Sequence, residues 1–213
     1  MEIVLTSNWE YINTHNKAVW HCDDRLSDRW ILDSIRLAKA LKNESFSFIF
    51  CSEIWFRRTT ADLVFEELTD KNLQIIVDQN LREKSAKLCP DITREALLRG
   101  TPTTEETEIA NRLFVKSTAV NYTPAPENET DDQVRTRCKK FLIYLVKHYP
   151  SDAKVLVVWN PSFNSYLLAL LAWKLGQERE YFAPYCSYSR ILYRDATWRI
   201  MEVNQQQHLH GGD

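Results

Sequence analysis

The sequence carries little net charge. Its 27 lysines and arginines against 29 aspartates and glutamates leave −2 at pH 7, which offers no general attraction for nucleic acid or an anionic membrane surface. It has no long apolar run: the longest, Tyr166 to Trp173, is far short of the ~20 residues needed to span a bilayer. Met1 leads directly into a strand-like segment, so the chain reads without a secretory signal. There is no disulfide framework either. Five cysteines, Cys22, Cys51, Cys89, Cys138 and Cys186, are odd in number and scattered, which suits reduced thiols and an intracellular, cytoplasmic or nuclear setting. Asn43, Asn121 and Asn128 head N-x-Ser/Thr triplets, which carry little weight without a secretion signal. No repeat and no dividing linker is present, so one domain over 1–209 with a short tail at 210–213 is expected.

What is there is core material. Hydrophobic residues make up 44% and aromatics 12% of 213 residues, which excludes general disorder and suffices for one α/β domain. Strands are expected at Glu2–Thr6, Phe46–Cys51, Leu73–Val77, Val155–Val158, Tyr188–Tyr193 and Trp198–Val203. A helical period runs over Ser27–Leu41 through Trp30, Ile31, Ser34, Ile35, Ala38 and Leu41, with Ser27 as its cap. Further helices are expected at Thr59–Leu68, Ile92–Leu98, Thr104–Lys116 and Gln133–Tyr149, the last stopped by Pro150. NYTPAPENETDD, residues 121–132, reads as a solvated loop. Alternating strands and helices argue a three-layer α/β/α domain with a mainly parallel sheet covered on both faces.

Residues 154–175, KVLVVWNPSFNSYLLALLAWKL, mark the place to look for function, because α/β proteins bind ligands where strands end and helices begin. Here that place holds no nucleophile, no base and no glycine. Asn160 as N-cap and Pro161 at the first helical position make a good helix start. A helix N-terminus attracts anions, but Pro161 lacks an N–H, so capping explains these residues at least as well as ligand binding.

Other candidates read as structural. His15, His21, Cys22, Asp23 and Asp24 fit no metal spacing, so no metal or other cofactor is expected. Arg57 and Arg58 are expected in solvent or paired with a carboxylate. Thr59-Thr60-Ala61 reads as a helix start. Cys51 and Cys186 read as small buried apolar residues. His148 suits a helix C-terminus, and the terminal HLHGGD reads as a partly mobile tail.

The order of these segments resembles the histidine phosphatase, or phosphoglycerate mutase-like, superfamily. The strand EIVLTSNWEY stands where the family has its Arg-His-Gly-Glu. DDRLSDRWILDSIRLAKAL, FIFCSEIWFRRTTADLVFEEL, IIVDQNLREKSA, ENETDDQVRTR, VVWNPSFNSYLLALL and NQQQHL follow in the family's order, over about residues 2–209. In that family one histidine attacks phosphorus, two arginines and a second histidine hold the phosphoryl oxygens, and a carboxylic acid donates a proton. Matched residue by residue, the resemblance puts Ser7 at the first arginine, Asn8 at the nucleophile and Trp9 at the glycine. It puts Phe56 at the second arginine and Asn160 at the second histidine, flanked by Trp159 and Pro161. Only the acid has a counterpart, Glu83.

The chemistry of these replacements decides what the resemblance implies. An imidazole offers a basic lone pair near neutral pH, whereas an amide nitrogen is neither nucleophile nor base. A guanidinium fork binds phosphate through two charge-assisted bonds. Serine offers one neutral hydroxyl there, and phenylalanine nothing polar. Phosphoryl transfer rests on positioning and charge stabilisation, and loss of even one electrostatic donor costs about 2.7–4 kcal/mol. The expectation is a pseudophosphatase with a protein partner, as homodimer or hetero-complex. The alternatives are a divergent phosphoesterase working through Glu83 and water, or a module binding a neutral or aromatic small molecule. Trp9, Trp159 and Phe56 are expected to fill the phosphate cleft, with Asn8 and Asn160 bonded to nearby backbone.

Overall fold

The computed structural model describes residues 1–7, 28–52, 55–68, 73–81 and 129–210, with only the backbone of 28–31, 55–57 and 59. In chain order the elements are β1 (Glu2–Ser7), α1 (Asp28–Leu41), β2 (Phe48–Cys51), α2 (Trp55–Glu67), β3 (Ile75–Val77) and α3 (Asp131–His148). They continue with β4 (Lys154–Trp159), α4 (Pro161–Leu171), β5 (Tyr188–Arg194), β6 (Thr197–Gln205) and a short α5 (Gln207–His210). The expected helices at 92–98 and 104–116, the cap Ser27 and the residues from His15 to Asp24 lie outside the described residues.

The strands form one six-stranded sheet ordered β3-β2-β4-β1-β5-β6. The pairs among β3, β2, β4 and β1 are parallel, and β5 and β6 close the sheet antiparallel. Central strands read as continuous apolar runs because both of their faces are covered. Ile3, Leu5, Phe50, Val155, Val157 and Trp159 pack on one face with residues of α3 and α4. Val4, Ile49, Cys51, Leu156 and Val158 pack on the other with Leu37, Ala38 and Leu41 of α1 and Ala61 and Val64 of α2. The three-layer α/β/α fold with a mainly parallel sheet is therefore present as the sequence indicates. Among the described residues no helix is long and apolar enough to cross a membrane.

Element boundaries differ where local chemistry was not weighed. α2 begins at Trp55, so Thr59-Thr60-Ala61 lies inside the helix, and Thr60 and Ala61 are fully buried. α3 begins at Asp131, inside the stretch expected to be loop. Its N-cap is Thr130, whose side chain takes the Gln133 N–H while the Gln133 side chain takes the Thr130 N–H. That T-x-x-Q capping box was legible in the sequence. The terminal segment also differs: His208 to His210 lie in α5, and Leu209 packs against the core. Leu209 is thereby tied to the core, His210 is exposed, and residues 211–213 lie outside the described residues.

Charge is concentrated at the N-terminal end of the central strands. Arg190 donates from Nη1 to Glu2 Oε1 at 2.8 Å, from Nη2 to Glu44 Oε1 at 2.8 Å and from Nε to Glu202 Oε2 at 3.0 Å. Burial opposes ionisation of Glu44, but its bonds from Lys154 and Arg190 prevail and hold its carboxyl below the usual range.

Candidate functional site

The chain leaves β1 toward β2 through α1 on one face, and leaves β4 toward β5 through α4 on the other. Adjacent strands whose connections depart to opposite faces open a crevice at their C-terminal ends. β1 and β4 are such a pair, in register from Glu2 opposite Lys154 to Ser7 opposite Trp159. The fold thus sets Ser7 and Trp159 side by side at the crevice, with Asn160 immediately after.

Ser7 is fully buried. Its Oγ donates to the Pro184 carbonyl at 2.8 Å, and its own carbonyl accepts from the Cys186 N–H at 2.7 Å. Thr6 Oγ1 donates to the Ser187 carbonyl at 2.9 Å. The end of β1 is therefore stitched to the turn at residues 184–187. Reading the sequence alone missed this turn, because nothing local in it announces a partner so distant in the chain.

Asn160 is the N-cap of α4. Its Oδ1 accepts from the Ser162 N–H at 2.7 Å, and Pro161 occupies the first helical position. The expected bond from Asn160 to local backbone is present. Trp159 is fully buried on the α3 and α4 face, stacked on Phe163 at 4.8 Å between centroids and edge-on to Phe141 at 5.6 Å. Its Nε1 has no hydrogen-bond partner among the described residues. The indole is core material. Asn8, Trp9, Glu83 and the side chain of Phe56 lie outside the described residues, so the expected meeting of Trp9, Trp159 and Phe56 is described only at Trp159.

Arg58 pairs with Asp62 one turn on, Nε to Oδ1 at 3.2 Å. Cys51 and Cys186 are buried thiols that take no part in a disulfide among the described residues. Burial pushes the Cys138 thiol up to about 12, far from the thiolate that a nucleophile requires.

Two segments behind the crevice are built as units. In ENETDDQVRTR, Arg137 grips Glu129 with both arms, Nε to Oε1 and Nη2 to Oε2 at 2.6 Å each, and sends Nη1 to the Asn80 carbonyl at 2.6 Å. Its guanidinium lies 4.2 Å over the Phe163 ring. In NQQQHL, Asn204 Nδ2 donates to the Phe182 carbonyl at 3.1 Å, and His208 Nε2 lies 2.9 Å from the Cys186 carbonyl.

The family model for the histidine phosphatase superfamily (branch 1) matches residues 6–206. The chain belongs to the histidine phosphatase superfamily. Solved structures agree at the level of fold. The alpha-ribazole phosphatase from Shigella flexneri is 20% identical with a TM-score of 0.64, over 96% of each chain. The phosphoglycerate mutase from Bacillus anthracis is 16% identical with a TM-score of 0.66, over 98% of this chain and 94% of that one. A mycobacterial glucosyl-3-phosphoglycerate phosphatase solved with inorganic phosphate is 16% identical with a TM-score of 0.66, over 97% and 98%. No curated protein sequence matches the chain significantly. Ser52, Thr60 and Ala61, around the end of β2 and in α2, are all fully buried.

Proposed function

We infer that the protein is a pseudophosphatase: a histidine phosphatase fold without phosphoryl-transfer chemistry, acting as a protein-interaction or scaffold subunit. The observation that carries this reading is the identity of Ser7, Asn8, Phe56 and Asn160 at the positions of the two arginines and two histidines. None supplies a cation or a basic nitrogen, and Ser7 and Asn160 already use their side-chain oxygens on backbone partners. Ser7 is also fully buried against the 184–187 turn, which takes up both its Oγ and its carbonyl.

The interaction role draws support from Trp173, which is 90% exposed at a left-handed backbone position, φ 58°. It follows the C-cap Ala172, where Trp173 N–H reaches the Leu170 carbonyl and Lys174 N–H the Ala169 carbonyl. Glycine is the usual residue at such a helix end. A tryptophan there gains little burial within the chain and suits anchoring on a partner. Neighbouring Leu175 is also exposed. Tryptophan anchors act within interfaces of about 1,000 Å² or more.

Affinity purification with partner identification, run alongside light scattering on wild type and Trp173→Gly, tests this role. Wild type is expected as a dimer or with one protein at fixed ratio. The variant is expected to lose that association without a lower melting temperature. A monomer without a partner, or association unchanged in the variant, would count against it.

A further inference from the structure

The terminal motif holds the turn on which β1 ends, and one of its two contacts depends on a proton. The Cys186 carbonyl can only accept, so the His208 nitrogen 2.9 Å from it, Nε2, must carry hydrogen. In the neutral ring Nδ1 is then a bare lone pair, and it is buried without a partner among the described residues. Protonation would add a second N–H there, with no acceptor among the described residues to receive it.

The surroundings do not remedy this. From α1, Asp33 and Arg36 face α5. Arg36 Nη1 reaches Asp33 Oδ1 and the Leu209 carbonyl at 3.3 Å each. From β5, the Tyr188 ring lies 5.6 Å from the His208 ring between centroids. From the turn, the Cys186 thiol lies 3.7 Å from Ser34 Oγ. On α5 itself, His210 adds a second titratable ring. Burial opposes the charged form of His208 most strongly and leaves its pKa below the ordinary value, with His210 acting in the same direction, while the bond to the Cys186 carbonyl and then Asp33 favour the charged form to a lesser extent.

We propose that α5 is an acid-released latch: neutral His208 clamps the 182–187 turn beneath the end of β1, and protonation of His208 releases helix and turn together. The route to the crevice is short. Cys186 accepts from His208 through its carbonyl and donates to the Ser7 carbonyl through its N–H. Release therefore loosens Ser7, the residue before Asn8.

The sign follows from linkage. A histidine held neutral in the latched state contributes stability above its free pKa of about 6.5, and that stability is lost as pH falls. Below about 6.5 the opening equilibrium should rise up to about tenfold per pH unit, levelling off once the latched state itself protonates.

Hydrogen exchange of the Cys186 and Leu209 amides, corrected for intrinsic rates from about pH 8 to about pH 5, reads this directly. Both are expected to open together as pH falls. His208→Gln can donate to the Cys186 carbonyl but cannot titrate, and should show no step. Ring titration of His208 by NMR in the wild type serves if that variant misfolds, and its midpoint should coincide with the onset of exchange. A flat wild-type profile, an unchanged step in His208→Gln, or His208 titrating without any change in exchange would each overturn the latch.

Discussion

Arg137→Ala should destabilise the protein by about 3–5 kcal/mol in urea unfolding, because it leaves a buried carboxylate without its cation. Glu129 has 3% of its side chain exposed and Arg137 10%. The arginine also holds the Asn80 carbonyl and lies over Phe163. Arg137→Lys should recover little, since an ammonium cannot make the two-armed contact. The double variant Glu129→Leu with Arg137→Met should recover most of the loss, because replacing both charges avoids the unpaired group. If Arg137→Ala cost less than about 1 kcal/mol, the pair would be behaving as a surface salt bridge.

Trp159→Ser should cost ~3–5 kcal/mol, the usual range for emptying a large aromatic site. The indole is fully buried between Phe141 and Phe163. Trp159→Phe should cost clearly less. It keeps the stacking and removes an N–H that has no partner among the described residues, and such a group carries a desolvation penalty of about 1–3 kcal/mol. If Trp159→Ser were tolerated, the ring would be filling the phosphate cleft, as expected from the sequence, and not the core. Restoring the two arginines and two histidines while trimming Trp159 would therefore open the core as well as any cleft.

The different fates of these residues show what the sequence could and could not convey. The strands and the capping of α4 were legible because they rest on local patterns: apolar runs, and Asn-Pro before an apolar helix. The family followed from the order of segments, each weak alone. Which face Trp159 joins was missed because the expected strand stopped at Val158, whereas β4 runs on through Trp159 and sets it with Val155 and Val157 on the α3 and α4 face. The stitching of Ser7 to Pro184 spans most of the chain. His208 lay in a segment read as a tail because its polar composition gave no sign that Leu209 docks.

The most direct test of the central claim is phosphoryl transfer itself. Purified protein is mixed with aryl and sugar phosphates and quenched under alkaline conditions that preserve phosphohistidine. Turnover and the phosphorylated mass are then read from the same sample. With Asn8 and Asn160 in place of both imidazoles, the expected result is hydrolysis at background and no phosphoprotein. Turnover above background that disappears in Glu83→Gln, or a phosphoryl group found on the protein, would contradict the pseudophosphatase reading.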